Sequence, residues 1–332
     1  MDKQTERKLI EKVKKDPWYL KYVNEQTEEI CLAAVKRNGY VLKYVKDKTK
    51  AVCLAAVKRE GCAIEDVDDQ TEELCLAAVK DNSTALKYIK HQTEEMCLIA
   101  VKNLSYALPY VKDQTEAICL EAVKKNGLMI GFVKDQTENI CLEAVKQNPE
   151  AIESIDNPSE DVCIAAIKQN PNMLSSIKDQ TEEICLTAVK ENGYVLRHVK
   201  NQNRKICLAA VNKYGHAIKY VKDQTEDICL AAISQNSSAL QYIKHQTISL
   251  CLMAIKDSID NLKYVNVKDR NLCLKLISIL ADKDYKYKNN EFLNKVINEY
   301  SKDKEFKDVY TKYNLWKYTT INDNTLFYSM LK

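Results

Sequence analysis

Twelve of the thirteen cysteines in this 332-residue chain stand 22 residues apart, from Cys31 to Cys273, and only Cys62 falls outside the series. A thiol column at fixed spacing suggests a metal or redox ladder. Structures with that period place equivalent helices ~9–10 Å apart, whereas a disulfide needs Cα atoms within about 7 Å. No C-x-x-C occurs, and none of the four histidines, His91, His198, His216 and His245, adjoins a column cysteine. The column therefore reads as a small, weakly polar residue at the centre of a buried helix face. Cys62 occupies a slot held elsewhere by Tyr40, Tyr106 and His216, which makes it the candidate reactive thiol. No metal and no cofactor are expected.

Other chemistry meets the same background. Gly39, Gly61, Gly127, Gly193 and Gly215 share one slot, so no phosphate-binding glycine loop can be assembled. Gln26 has equivalents at 70, 92, 114, 136, 180, 202, 224 and 246. A glutamine at that many equivalent positions reads as a hydrogen-bonded ladder, not a catalytic group. No Ser–His–Asp or Cys–His grouping stands out, and the chain is expected not to be an enzyme.

The elements behind this pattern are short. The unit begins thirteen times, from Thr5 to Asp269, without an insertion. Residues 27–48 are typical. Thr27 is an N-cap, Glu28 and Glu29 suit the positive end of the helix dipole, and Lys36 suits the negative end. Asn38 and Gly39 are expected to stop the helix in left-handed conformation. Ile30, Cys31, Leu32, Ala34 and Val35 cover about 200° of the wheel, twice the stripe of a surface helix, so neighbours must sit on both sides. The slot of Ala33, Ile99, Glu121 and Glu143 is expected to face solvent. Tyr40–Lys46 makes a second, short helix of α or 3₁₀ form, with Pro17, Pro149 and Pro171 at its start in other units. The fold class is all-α: an α-solenoid of about 12–13 tandem 22-residue helix–turn–helix repeats. Its divisions are an N-terminal capping repeat (1–26), the tandem repeats (27–282) and an aromatic-rich helical C-terminal cap (283–332).

Charge is the best functional clue. The net charge is +3, which excludes a bulk polycation, yet the turn after the first helix is basic. It carries Lys14, Lys15, Lys36, Arg37, Lys58, Arg59, Lys80, Lys102, Lys124, Lys125, Lys146, Lys168, Lys190, Lys213 and Lys256 against Asp16, Glu60, Asp81, Glu191 and Asp257. The opposite edge, rich in Asp-Gln-Thr-Glu-Glu, is expected to be negative. Dipole complementarity accounts for both signs; a phosphate track is the sharper alternative. An aromatic column runs through Tyr22, Tyr44, Tyr88, Tyr110, Phe132, Tyr220, Tyr242 and Tyr264, and Trp316 lies in the tail. The column lapses at Asp66 and over Ser154, Ser176 and His198, so a change of surface or curvature is expected between residues 147 and 200. Half-buried packing with an exposed hydroxyl is the expected role of these tyrosines. The start, MDKQTERKLI, shows no secretory signal, and no run of 18 apolar residues occurs, which points to an intracellular protein without a membrane span.

The strings TEEICLAAVKRNGYVLKYVKDKT (27–49) and DQTEDICLAAISQNSSALQYIKHQT (223–247) resemble a repeat family known as a domain of unknown function and abundant in giant amoeba-infecting DNA viruses. A looser similarity joins them to leucine-rich variant repeats, which alternate α and 3₁₀ helices. The resemblance covers about residues 5–280 and implies no catalytic residue; it implies a viral protein, placed in host cytoplasm or virion. The expected function is a non-enzymatic scaffold for a protein or peptide partner. A nucleic-acid or other polyanion binder along the basic edge and a structural or virion component are the alternatives.

Overall fold

A computed structural model describes residues 1–282 and 291–315. Among the described residues there is no strand; twelve α-helices each precede a 3₁₀ helix, and three more α-helices lack one. The first pair is Lys3–Lys15 with Pro17–Tyr22, and the twelfth is Ile248–Asp257 with Ile259–Tyr264. The second helix of the unit is therefore 3₁₀ throughout. The contacts divide the chain into two units, Met1–Ile177 and Lys178–Lys332.

Local sequence explains each element. Thr27 caps the helix Glu28–Val35, its hydroxyl accepting from the Ile30 N–H. The same hydroxyl donates to Glu6 Oε1 of the preceding repeat at 2.6 Å, and Thr49 donates likewise to Glu28 at 2.7 Å. The N-terminal glutamates thus bind the next repeat's cap as well as favouring the dipole. The buried set of each helix holds the predicted columns: Ile30, Cys31, Ala34 and Val35 in one repeat, Ile118, Cys119, Ala122 and Val123 in another. The slot of Ala33, Ile99, Glu121 and Glu143 is half-buried, not solvent-facing, because helices of adjacent repeats flank it on the solenoid flank.

The helix stop also differs from expectation. No glycine has positive φ, and Asn38 is extended at φ −149°. Asn38 instead caps the 3₁₀ helix, accepting from the Tyr40 N–H at 3.0 Å. Glycine is needed for proximity: a Cβ on Gly39 would sit 2.5 Å from the Ala56 carbonyl oxygen of the next repeat. Ser83, Ser105 and Ser237 fill this slot elsewhere, and all three are buried.

In the first unit, Leu9 and Ile10 of the opening helix are half-buried, while Lys8, Glu11 and Lys12 are exposed. In the second unit, the helices Arg270–Asp282, Glu291–Tyr300 and Lys304–Lys312 end the described chain. Phe292, Leu293, Val296, Ile297 and Phe306 are buried there. Arg270 holds both carboxylate oxygens of Asp303 at 2.8 Å, and the Tyr300 hydroxyl donates to the Val267 carbonyl. Bidentate Arg–carboxylate pairing fixes orientation as well as distance. Trp316 and the rest of the tail beyond 315 lie outside the described residues.

Candidate functional site

Two ladders and one face emerge when the repeats are stacked. The first ladder is the glutamine column. Gln92 donates to the Leu86 carbonyl of its own 3₁₀ helix at 3.0 Å and to the Tyr110 carbonyl of the next at 2.8 Å. Its Oε1 accepts from the Lys112 N–H at 2.9 Å. Gln26, Gln70, Gln114 and Gln136 bridge their repeats in the same way within the first unit. Gln180, Gln202, Gln224 and Gln246 do so within the second. Each side chain satisfies backbone groups that a 3₁₀ helix leaves open at its end.

The cysteine column is tied to this ladder. Cys31, Cys97, Cys119, Cys207 and Cys251 each point the thiol at the Oε1 of the glutamine five residues earlier, 3.7 to 3.9 Å away. All thirteen cysteines are free, and the twelve of the column are buried. Burial pushes Cys31 and Cys97 up to about 11 and Cys251 and Cys273 up to about 12. Thiols of that kind stay protonated near neutral pH and are poor nucleophiles. Cys62 is half-buried beside Thr84 and accepts from Asn82 Nδ2 at 3.5 Å. A thiol reagent at pH 8 is therefore expected to label one cysteine of the native protein rapidly and thirteen after denaturation. Cys62→Ser should abolish the rapid phase; several rapid thiols in the native state would contradict this account.

The ladder fails at two places in the first unit. Lys48 stands where the glutamine should be, and its Nζ reaches the Asp66 carbonyl at 2.6 Å, replacing one of the donations. A cavity of about 260 Å³ opens there, lined by Lys48, Cys53, Asp68, Asp69 and Thr71, with the Thr71 hydroxyl unpartnered. The preceding repeat offers Lys50 at the position of the glutamate that would accept from it, and Lys50 pairs with Glu73. At Pro158 no amide side chain exists at all. One repeat later the 3₁₀ helix Pro171–Ser175 is a residue short and closes on Ser176 in α conformation. The units divide two residues beyond, inside the segment where the tyrosine column lapses.

The second ladder is a basic row that sequence reasoning missed. Lys46, Lys90, Lys112, Lys134, Lys200, Lys222 and Lys244 each send Nζ to a backbone carbonyl of the preceding repeat. The signal was present as Lys two residues before the glutamine slot in most repeats, but the surrounding acids concealed it. This loop edge is therefore mixed in sign, not simply negative. The predicted basic edge stands apart at the C-terminal ends of the α-helices. Lys14, Lys36, Arg37, Lys58, Arg59, Lys80, Lys102, Lys124, Lys125, Lys146, Lys168 and Lys190 are all exposed. Among the described residues of that edge, Lys14 and Lys146 alone lie within ion-pair range of a carboxylate, Glu11 and Glu143.

Within each unit the aromatic column falls on the 3₁₀ helices, at the residue that ends each of them. Tyr22 and Tyr110 are exposed, while Tyr44, Tyr88, Tyr220, Tyr242 and Tyr264 are half-buried. The structure adds a second row from the slot four residues earlier: Trp18, Tyr40, Tyr106, Tyr194 and His216. The rows meet between repeats. Trp18 and Tyr44 stand edge-on at 6.0 Å, Tyr194 and Tyr220 at 6.4 Å, and His216 and Tyr242 at 5.3 Å. Lysines just before the tyrosines lie over the rings: Lys21 on Tyr22, Lys87 on Tyr88, Lys219 on Tyr220 and Lys263 on Tyr264. At the lapses, Asp66 and His198 take the ring position, and burial first, then Arg197, holds the His198 imidazole below its usual range. The face offers flat apolar rings with cations against them, and among the described residues no group of three His, Cys, Asp or Glu that could hold a metal occurs. No described helix is long and apolar enough to cross a membrane.

Fold and face together define an α/3₁₀ solenoid whose repeats present ring-and-lysine rows. The family model described as Domain of unknown function (DUF4116) matches residues 9–50, 27–71, 115–158, 181–224 and 203–248, together more than half of the chain. The chain belongs to this family of 22-residue helical repeats. No curated protein and no solved structure matches it.

Proposed function

We propose that this protein is a non-enzymatic scaffold that holds an extended protein or peptide partner along the outer face of its 3₁₀ layer. The observation that carries the reading is the recurrence, in most repeats, of exposed and half-buried rings on the 3₁₀ layer, several of them with a lysine against the ring. Tyr and Trp anchor interfaces because they bury large area at little entropic cost. The glutamine ladders give each unit a rigid backing, so a partner binds a surface already in place. The composition, rich in Lys, Asn, Ile and Tyr, fits the AT-rich genome of a giant virus, an origin that would place the protein in host cytoplasm or virion.

A second reading has one observation in its favour. Lysines interleaved with tyrosines, flanked by the basic edge, make a surface on which single-stranded nucleic acid would stack and pair its phosphates. One experiment separates the two: selection from a random peptide library on the full chain, beside a shift assay with oligo-dT at two salt concentrations. Enriched peptides whose binding is lost in a folded Tyr22→Ser, Tyr40→Ser, Tyr106→Ser variant are the expected result. An empty selection together with steeply salt-dependent oligo-dT binding would transfer the function to the second reading.

A further inference from the structure

The strongest ring-and-cation cluster lies at the start of the first unit, and its layout specifies the shape of its ligand. Trp18 is 39% exposed, Tyr22 66% and Tyr40 43%, a run of exposed large rings with lysines against them. Trp18 and Tyr40 hold one slot in successive repeats, and Tyr22 and Tyr44 hold another. The array is thus two rings across and two repeats deep. Trp18 meets Tyr44 at 75°, and Lys43 Nζ sits 5.2 Å from the centre of each ring, at the corner they form. Lys21 repeats the cation one layer earlier, 4.6 Å from the Tyr22 ring. Arg37 and Lys46 add exposed positive charge on either side.

Packed helical layers lie ~8–10 Å apart. The ligand must therefore present an equivalent group about every 8–10 Å. A β-strand repeats each two residues, about 6.7 Å, and an α-helix each turn, about 5.4 Å, so neither keeps step. A polyproline II helix has three residues per turn and rises about 3.1 Å per residue, giving about 9.3 Å. Proline-rich segments of this form dock on grooves lined by aromatic rings, and their backbone is ordered before binding. The lysine in each layer calls for one carboxylate per turn.

We propose that Trp18, Tyr22, Tyr40 and Tyr44, with Lys21 and Lys43, form a docking site for an acidic proline-rich segment in polyproline II form, taken at one turn per repeat. Prolines lie on the rings, and the third residue of each turn, Asp or Glu, pairs with the lysine of that layer. The inference rests on the peptide-scaffold reading and narrows it to one ligand class and one place. The acidic patch of Glu60, Glu65, Asp66, Asp68 and Asp69 limits the site to these opening repeats, since it repels the same ligand.

The test uses the full chain and labelled twelve-residue peptides read by fluorescence anisotropy. (Pro-Pro-Glu)4 is expected to bind saturably, (Gly-Gly-Glu)4 at least tenfold more weakly, and (Pro-Pro-Lys)4 not at all. Trp18→Ala should weaken (Pro-Pro-Glu)4 at least tenfold. Lys43→Glu, which keeps the rings, should do the same and raise affinity for (Pro-Pro-Lys)4. Circular dichroism melts confirm that both variants stay folded, and Lys275→Glu, an exposed lysine on the helix Arg270–Asp282 away from the ring rows, serves as a control without effect. Equal binding of the Gly and Pro peptides would overturn the proposal, because charge alone would then explain it. Binding of oligo-dT with none of (Pro-Pro-Glu)4 would overturn it together with the peptide reading. Library peptides that bind regardless of Trp18→Ala, with no (Pro-Pro-Glu)4 binding, would overturn this site while leaving the scaffold reading in place.

Discussion

Gln92→Leu is expected to cost about 2–4 kcal/mol of stability, although the residue touches no ligand and lies at the surface of a loop. The leucine fills the space but leaves the Tyr110 carbonyl and the Lys112 N–H without their partner, while the Leu86 carbonyl keeps only the Ile89 N–H. Each unsatisfied buried backbone group costs roughly 1–3 kcal/mol, and partial access of water keeps the sum at the lower end. Gln92→Lys should lose about half as much, because Lys48 shows that a lysine in this slot reaches the next 3₁₀ helix. Urea unfolding measures the loss, and amide exchange at Lys112 locates it. A change of under ~0.5 kcal/mol for Gln92→Leu would refute the ladder's role.

Leu108→Ala is expected to cost about 2–5 kcal/mol, the range for a large cavity in a packed core. Leu108 is fully buried in the 3₁₀ layer, between the helices of its own repeat and the next. In a solenoid each repeat contacts only its neighbours, so the loss falls on adjacent repeats and should broaden the urea transition of the first unit. Tyr106→Ala, two residues away and 56% exposed, should stay within about 0.5 kcal/mol. Comparable losses for both would mean that the exposed ring row is structural and not a free surface.

Much of this was legible in the chain itself. The cysteine column, the Thr27 cap and the buried set around Cys31 were read correctly because most of these slots hold the same kind of residue 22 positions away. A single period then predicts the neighbours of every slot. Gly39 was read correctly as a boundary but for the wrong reason: glycine signals either positive φ or close approach, and composition cannot separate them. The lysines of the loop edge were lost among acids of similar frequency. The pairing of the Trp18 slot with the Tyr22 slot was missed because four residues place side chains differently in α and 3₁₀ helices, and the sequence allowed both.

The sequence by itself determined the period, the ends of each α-helix and the buried columns, since hydrophobic spacing and capping are properties of a single strand of text read along its length. Tertiary structure alone decided the 3₁₀ form, the bonds that join residues 18 to 22 apart, and the meeting of two ring rows with a lysine row on one face. These depend on the distance between layers, which is set by how the alanine and glycine columns let neighbouring backbones approach. No single residue type encodes that distance; it exists only when two repeats are stacked.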